Sequence, residues 1–269
     1  MISRSNRHRF HDKQVRECQY FHLYHIMENI QNETVGSIVA RNWKTSSVFE
    51  KHNIDFCCNG AISLSDACAK IGLDIELMSL EILLSMQTIE DSEKNYDGWE
   101  LDLLAEYIET KHHKYAVEKM PQILANLNKI CLVHGANHPE LLEIRDLFRD
   151  MAHELTVHMK KEEFMIFPVI KKMVWAGNRR QNIPSQTYGS IQNPIAAMMQ
   201  DHENEGDRMR KIAALSDNYT PGPEACTTYK ASFFMLEEFE GDLHKHIHLE
   251  NNILFPKAVQ LEKELQAAD

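Results

Sequence analysis

The sequence of 269 residues contains no apolar run long enough to cross a bilayer, so a membrane-spanning role is not expected. Positive charge is short: 29 Lys and Arg stand against 40 Asp and Glu, a formal net charge of −11. Phosphate binding needs concentrated positive charge, which argues against a nucleic-acid partner. Basic residues do gather in the opening "MISRSNRHRFHDKQVR", but that stretch lacks the apolar core of a secretory signal. Residues 1–30 therefore read as a solvated tail. Cysteine is sparse, and the six are scattered without the spacing of a secreted disulfide framework, which places the chain in a reduced cytoplasmic setting. Glycine and proline are also few, at ten and eight. They leave long stretches rich in Leu, Met, Glu, Lys and Ala, residues that favour helix.

Residues 31–86 have the pattern of a small helical module. "TVGSIVARNW" and "SSVFEKHN" carry short helical periodicity, and "NIDFCCNG" closes on Asn59-Gly60, a helix stop and turn. "SLSDACAKIG" and "DIELMSLEILLSMQ" each open on a Ser or Asp able to cap, and the first stops at Gly72. "TIEDSEKNYDG" has no apolar periodicity, so residues 87–98 read as a linker. Beyond it come four long helical patterns, divided by "CLVHGANHP", "AGNRRQNIPSQTYG" and "SDNYTPGPE", which carry the Gly, Pro and Asn of loops. An all-α chain is expected, with residues 99–265 forming an antiparallel four-helix bundle.

One frame occurs twice in that bundle. "HMKKEEFMIFP" and "HIHLENNILFP" both read His, three residues, Glu, four residues, Phe-Pro. Residues four apart share a helix face, so His158 with Glu162, and His246 with Glu250, can each converge on one point. At 100° per residue the first pair aligns with Ile144, Leu147, Met151, Leu155, Met165 and Val169, and the second with Met235, Phe239, Leu243 and Ile253. Both pairs face the core, where a carboxylate is costly unless paired or bound to metal. A single inward His is most often a hydrogen-bonded core residue; two such pairs, with His202 on the stripe of Ile195, Met198, Met199 and Met209, exceed that reading. Each Phe-Pro removes a backbone donor and is expected to kink its helix beyond the pair.

The first bundle helix supplies "KHHKY", of which only one His can face inward on a regular helix. His112 lies within about 40° of the stripe through Leu101, Leu104 and Ile108, whereas His113 lies about 140° away. With either one, four His and two Glu give a nitrogen and oxygen donor set too large for one structural zinc and suited to two carboxylate-bridged metals. Zinc, manganese or copper would also accept these donors.

"HMKKEEFMIFP", "QDHENEG", "PGPEACTTY" and "HIHLENNILFP" together resemble the hemerythrin-like domain of the iron–sulfur cluster repair di-iron family, also called the repair-of-iron-centres family. "FEKHNIDFCCNG" resembles that family's small N-terminal domain, and the likeness spans roughly residues 34–262. It implies an oxo- and carboxylate-bridged pair of non-haem irons held by His158, Glu162, His202, His246 and Glu250. The remaining His in such proteins stands eight residues before a Pro in the first bundle helix. Pro121 thus selects His113, with His112 as the alternate, and implies that Pro121 or a helix bend rotates the face. The implied role is restoring iron–sulfur clusters damaged by nitric oxide or peroxide, by iron donation or nitric oxide handling. Damaged iron–sulfur proteins would be the partners, and a homodimer is one compatible assembly.

Rival readings are a hemerythrin-like carrier or sensor of oxygen or nitric oxide, and a structural bundle around zinc. Oxygen-carrying hemerythrins, which this region also resembles, offer a further third-helix ligand four residues past the His. Here that position is Gly206, which implies an open coordination position for oxygen, peroxide or nitric oxide; helix packing is the competing explanation. Glu203 and Glu205 lie near but outside the four-residue register. Glu109, Glu154 and Asp242 each precede a proposed ligand by four and are candidates to orient it. Cys57 and Cys58 are candidate thiolates toward iron or a partner's cluster, against an incidental helix-end turn. Cys226 reads as a small packing residue, and His244 and His248 as surface residues.

Overall fold

The computed structural model describes residues 29–86, 95–179 and 190–267; the expected basic tail through residue 28 and most of the expected linker, residues 87–94, lie outside them. The chain divides into two compact units, Met1–Asn95 and Tyr96–Asp269. Tyr96–Gly98, assigned from sequence to the linker, forms a short 3-10 turn at the start of the second unit. The described residues are helical, with one isolated bridge between Thr34 and Ser63 and no strand. No helix among them is long and apolar enough to cross a membrane.

The first unit is built from short, capped helices. α1 (Val35–Arg41) begins where the Thr34 side chain accepts a hydrogen bond from the Ser37 amide. α2 (Ser46–Lys51) follows one 3-10 turn. α3 (Leu64–Ile71) is capped by Ser63 and stops at Gly72, whose φ of +70° favours glycine. α4 (Ile75–Met86) starts on Asp74, which accepts from the amides of Glu76 and Leu77. The caps at Ser63 and Asp74 and the stop at Gly72 fall where the sequence placed them, whereas α2 already ends at Lys51, so Asn59-Gly60 forms a turn and not a helix stop. Phe49 and Phe56 fill the core with Ile38, Leu64 and Ile82.

The second unit is the four-helix bundle. Its first helix comprises α5 (Leu101–Ile108) and α6 (Lys114–His134), its second α7 (Glu140–Lys161) and α8 (Phe167–Arg179). The third is α9 (Gln192–Leu215), and the fourth α10 (Thr227–Leu249) and α11 (Phe255–Ala267). Each packs on its sequence neighbours, and α10 closes the ring on α6. Ile108, Ile123, Leu127, Ile144, Phe148, Met151, Leu155 and Phe239 make the buried seam, with Phe148 edge-on to Phe239 at 5.3 Å.

Three of the four helices are interrupted by five-residue π segments, at Glu109–His113, Glu162–Ile166 and Glu250–Leu254. Each π turn adds a residue to the α period, so every later side chain is rotated from its ideal phase. This corrects the expected helix faces. Met165, placed on the inner stripe by a 100° step, is 46% exposed, whereas Ile166 is 2% exposed. The break in regularity lies at the Glu of each repeated frame and ends immediately before Phe167-Pro168 and Phe255-Pro256. A π turn at each pair thus directly precedes its Phe-Pro.

Candidate metal centre

The first π segment explains the doubled His. With one residue inserted over Glu109–His113, the helix buries His112 and His113 together, at 4% and 1% exposure. Pro121 lies inside regular α6, so the rotation comes from the π turn rather than from the proline. The Nε2 of His113 points to the centre, 3.2 Å from Nε2 of His246 and 3.4 Å from Oε2 of Glu162. The other buried imidazole, His112, turns Nδ1 to Asp242 at 3.0 Å and takes no place in the cluster.

Six side chains from all four helices converge in two overlapping groups: His113, Glu162, His246 and Glu250, and His158, Glu162, His202 and Glu250. Within each group the candidate donor atoms lie within 4.8 Å of one another. The glutamates belong to both. Glu162 gives Oε2 to His113 and Oε1 to His158, the latter at 3.1 Å. Glu250 gives Oε1 to His246 at 3.2 Å and Oε2 to His202 at 3.1 Å. The second imidazole pair, His158 and His202, brings its Nε2 atoms to 2.9 Å. Donors held about 2.1 Å from a cation at right angles stand about 3 Å apart. The nitrogen and oxygen separations match that edge length.

The electrostatics call for positive charge at the centre, from protonated imidazoles or a bound cation. Glu162 and Glu250 are fully buried, and Glu162 Oε1 and Oε2 and Glu250 Oε2 receive no well-aligned hydrogen bond. Burial pushes the Glu250 carboxyl up, but His246, His113 and His202 outweigh it and hold it well below the ordinary range. Burial and Glu250 raise Glu162, and the neighbouring imidazoles return it below its ordinary value. Burial likewise lowers His113 and His158, yet the glutamates beside them push both up to about 10. Buried carboxylates thus demand positive charge at the centre of each group, and the donor set fits a metal pair.

The outer nitrogens are held by neighbours that the four-residue rule did not find. His113 Nδ1 meets Glu163 at 3.1 Å, His158 Nδ1 meets Asp201 at 3.3 Å, and His202 Nδ1 meets Asn251 at 2.8 Å. These contacts fix ring orientation and leave Nε2 for the centre. The three acids expected in this role are engaged elsewhere: Glu109 with Lys171, Glu154 with Arg208, Asp242 with His112. Asp201 precedes His202, while Glu163 and Asn251 follow the two glutamates. Adjacency to a ligand was therefore the available sequence signal.

Glu205 was the larger omission. It is 1% exposed, its Oε2 has no hydrogen-bond partner, and burial pushes its carboxyl to about 7 against the pull of His158 and His202. It stands three residues after His202, a spacing that also shares a helix face. Gly206 is buried in α9. Away from the six donors, Met165, Ile166, Val169, Ile191, Pro194 and Met198, with Lys161 and Ser190, help line a mostly apolar cavity of about 260 Å³.

In the first unit, Asp55 accepts from the Cys57 and Cys58 amides at 3.1 and 2.9 Å, and the two Sγ atoms stand 3.7 Å apart. Cys57 is buried, and its Cys58 contact and desolvation raise its thiol well above the ordinary value; Cys58 is partly exposed. Cys58 is consequently the reachable thiol of the pair. Two expectations are corrected here. Cys226 is exposed, with His134 Nε2 at 3.2 Å, and is not a packing residue. His248 is 1% exposed rather than on the surface, and burial pushes it down to about 3.

Two family descriptions match the chain: the hemerythrin HHE cation binding domain over residues 105–258, and a domain of unknown function (DUF542) over residues 31–84. Among curated proteins, the chain is 34% identical over 231 residues to the iron-sulfur cluster repair protein YtfE of Shigella boydii serotype 4 (strain Sb227), covering 85% of this chain and 97% of that protein. YtfE of Escherichia coli O8 (strain IAI1) gives the same identity and coverage. YtfE of Escherichia coli (strain K12 / DH10B) is 33% identical over the same shares.

Proposed function

The chain belongs to the iron–sulfur cluster repair family of hemerythrin-domain proteins, and from that premise we propose that it restores clusters damaged by nitric oxide or peroxide. The observation that carries this reading is the sharing of Glu162 and Glu250 between two imidazole pairs, because a carboxylate reaching both groups would serve two cations. His113, His246, Glu162 and Glu250 would hold one iron, and His158, His202 and the same glutamates the other. Bound there, a non-haem iron pair supplies one-electron chemistry and affinity for nitric oxide or oxygen species. In the repair role the iron is itself cargo for the damaged cluster.

The chain's own residues set how that cargo is held. Glu163, Asp201 and Asn251 orient three imidazoles, so the donors are arranged before metal arrives. Of the six donors only His202 comes from the third helix, where Gly206 offers no further donor and the buried Glu205 carboxyl lies within electrostatic reach of His158 and His202. A mostly apolar cavity lined from the second and third helices suits a small uncharged molecule such as nitric oxide or oxygen. Cys58, with Cys57 behind it, supplies a soft donor suited to meeting a damaged iron–sulfur protein in the cytoplasm. The same cavity also favours the second reading, an oxygen or nitric oxide carrier or sensor.

The deciding experiment incubates the iron-loaded protein with a nitric-oxide-treated iron–sulfur hydratase and follows both enzyme activity and iron content. Recovery of activity with matching loss of iron from this chain supports donation. Reversible gas binding without recovery of the hydratase supports the carrier.

A further inference from the structure

His112 is buried beside the centre yet is no part of either donor group, and its ring contacts run from a candidate ligand outward. It stacks on His246, with centroids 5.9 Å apart and 10° between planes. On its other side Tyr107 meets it edge-on at 5.7 Å. Tyr107 lies 5.3 Å from both Trp99 and Tyr96, and those two rings are 5.1 Å apart. The Tyr96 and Tyr107 hydroxyls stand 2.9 Å apart in a hydrogen bond. Trp99 is partly exposed. An unbroken file of ring contacts therefore joins His246 to solvent.

The file is chemically selective. Two other aromatic rings stack on candidate ligands, Phe167 on His113 and Phe255 on His202, and a phenyl ring is far harder to oxidise than a phenol or indole. Among the described ring contacts, the readily oxidised side chains reach the centre on the His112 side alone. We propose that Trp99, Tyr96, Tyr107 and His112 form a one-electron relay that carries oxidising equivalents from the centre to the surface, sparing the ligands under peroxide.

The relay rests on the iron reading above and completes its electron balance with a thiol. Hydrogen peroxide needs two electrons and two protons to break its O–O bond and become two waters. Tyr107 gives an electron inward across His112 and His246 and is refilled by Trp99. The Trp99 radical cation releases its Nε1 proton to water, and a small thiol then returns an electron and a proton to the indole. Two such passages turn one peroxide and two thiols into two waters and one disulfide. Without thiol, the oxidation stays on Trp99.

That last state gives the test, with an internal control in Trp175, which is 50% exposed and carries Arg179 over its ring at 4.5 Å. Protein loaded with ferrous iron, its content measured, is treated in the absence of thiol with hydrogen peroxide in several-fold excess over what the irons' own electrons can reduce. Peptide mass spectrometry then compares oxidation at Trp99 and Trp175. Iron-loaded protein should oxidise Trp99 several-fold more than Trp175, and zinc-loaded protein should lose that preference. Tyr107→Phe keeps a ring in place but should abolish the preference, move oxidation onto His112 and His246, and remove the aromatic radical seen by electron paramagnetic resonance after rapid freezing. Two bound irons with no Trp99 preference, or a preference unchanged in Tyr107→Phe, overturn the relay alone. A chain that binds no iron overturns the metal reading and the relay with it.

Discussion

Substituting Glu205 with Gln should make stability less dependent on pH, with a size set by the burial of that side chain. Glu205 is 1% exposed and its carboxyl is pushed to about 7 from the ordinary 4.5. Below pH 4.5 the folded and unfolded chains both keep this proton. Between 4.5 and 7 the unfolded chain releases it while the folded chain holds it, so stability falls as pH rises. At about 1.4 kcal/mol per pH unit the window holds about 3 kcal/mol. Glutamine is near in shape and does not titrate. Urea unfolding of metal-stripped parent and Glu205→Gln across pH 4.5 to 7.5 isolates the contribution as a difference. The parent should lose about 3 kcal/mol relative to the variant across the window and little more above it. Bound cations favour the carboxylate, so metal loading should flatten the difference. A difference that is flat in stripped protein, or that grows in the parent's favour with rising pH, refutes the assignment of Glu205 as a buried protonated acid.

Three further outcomes are expected. His113→Ala should lower metal content while His112→Ala leaves it near the parental value, measured by elemental analysis; the reverse result would return the ligand role to His112. Asn251→Ala frees the His202 ring and should weaken metal affinity by about tenfold or more in a chelator competition. The double variant Cys57→Ala with Cys58→Ala should keep the absorption spectrum of the bundle site yet restore a nitrosylated cluster more slowly at equal iron loading, and equal rates would reduce "DFCCNG" to a turn.

What the sequence revealed depended on whether the helix stayed regular. His158 with Glu162 and His246 with Glu250 were legible because each pair spans four residues before the register changes at the Glu. His113 was legible only through resemblance. An ideal helix points it away, and the insertion that turns it inward has no strong local signature, since Glu109–His113 contains neither Gly nor Pro. A second insertion of this kind, at Glu162–Ile166, exchanged Met165 and Ile166. Two caps and one stop in the first unit were readable because Ser63, Asp74 and Gly72 act on their own backbone, whereas the Thr34 cap and the early end of α2 at Lys51 were not. Orientation of the imidazoles was not, because His202 is steadied by Asn251 from another helix, and only packing makes them neighbours. Glu205 could have been found from its three-residue spacing, had burial been weighed alongside the four-residue rule.

The central claim is that Glu162 and Glu250 each hold two metal ions. Its most direct measurement is metal content with an absorption spectrum of the oxidised form, on protein purified without oxygen, for the parent, Glu162→Ala and Glu250→Ala. The account predicts two irons per chain and oxo-bridge bands in the parent, with both ions loosened by either substitution. A single zinc in the parent, or the loss of only one ion from each variant, would contradict it.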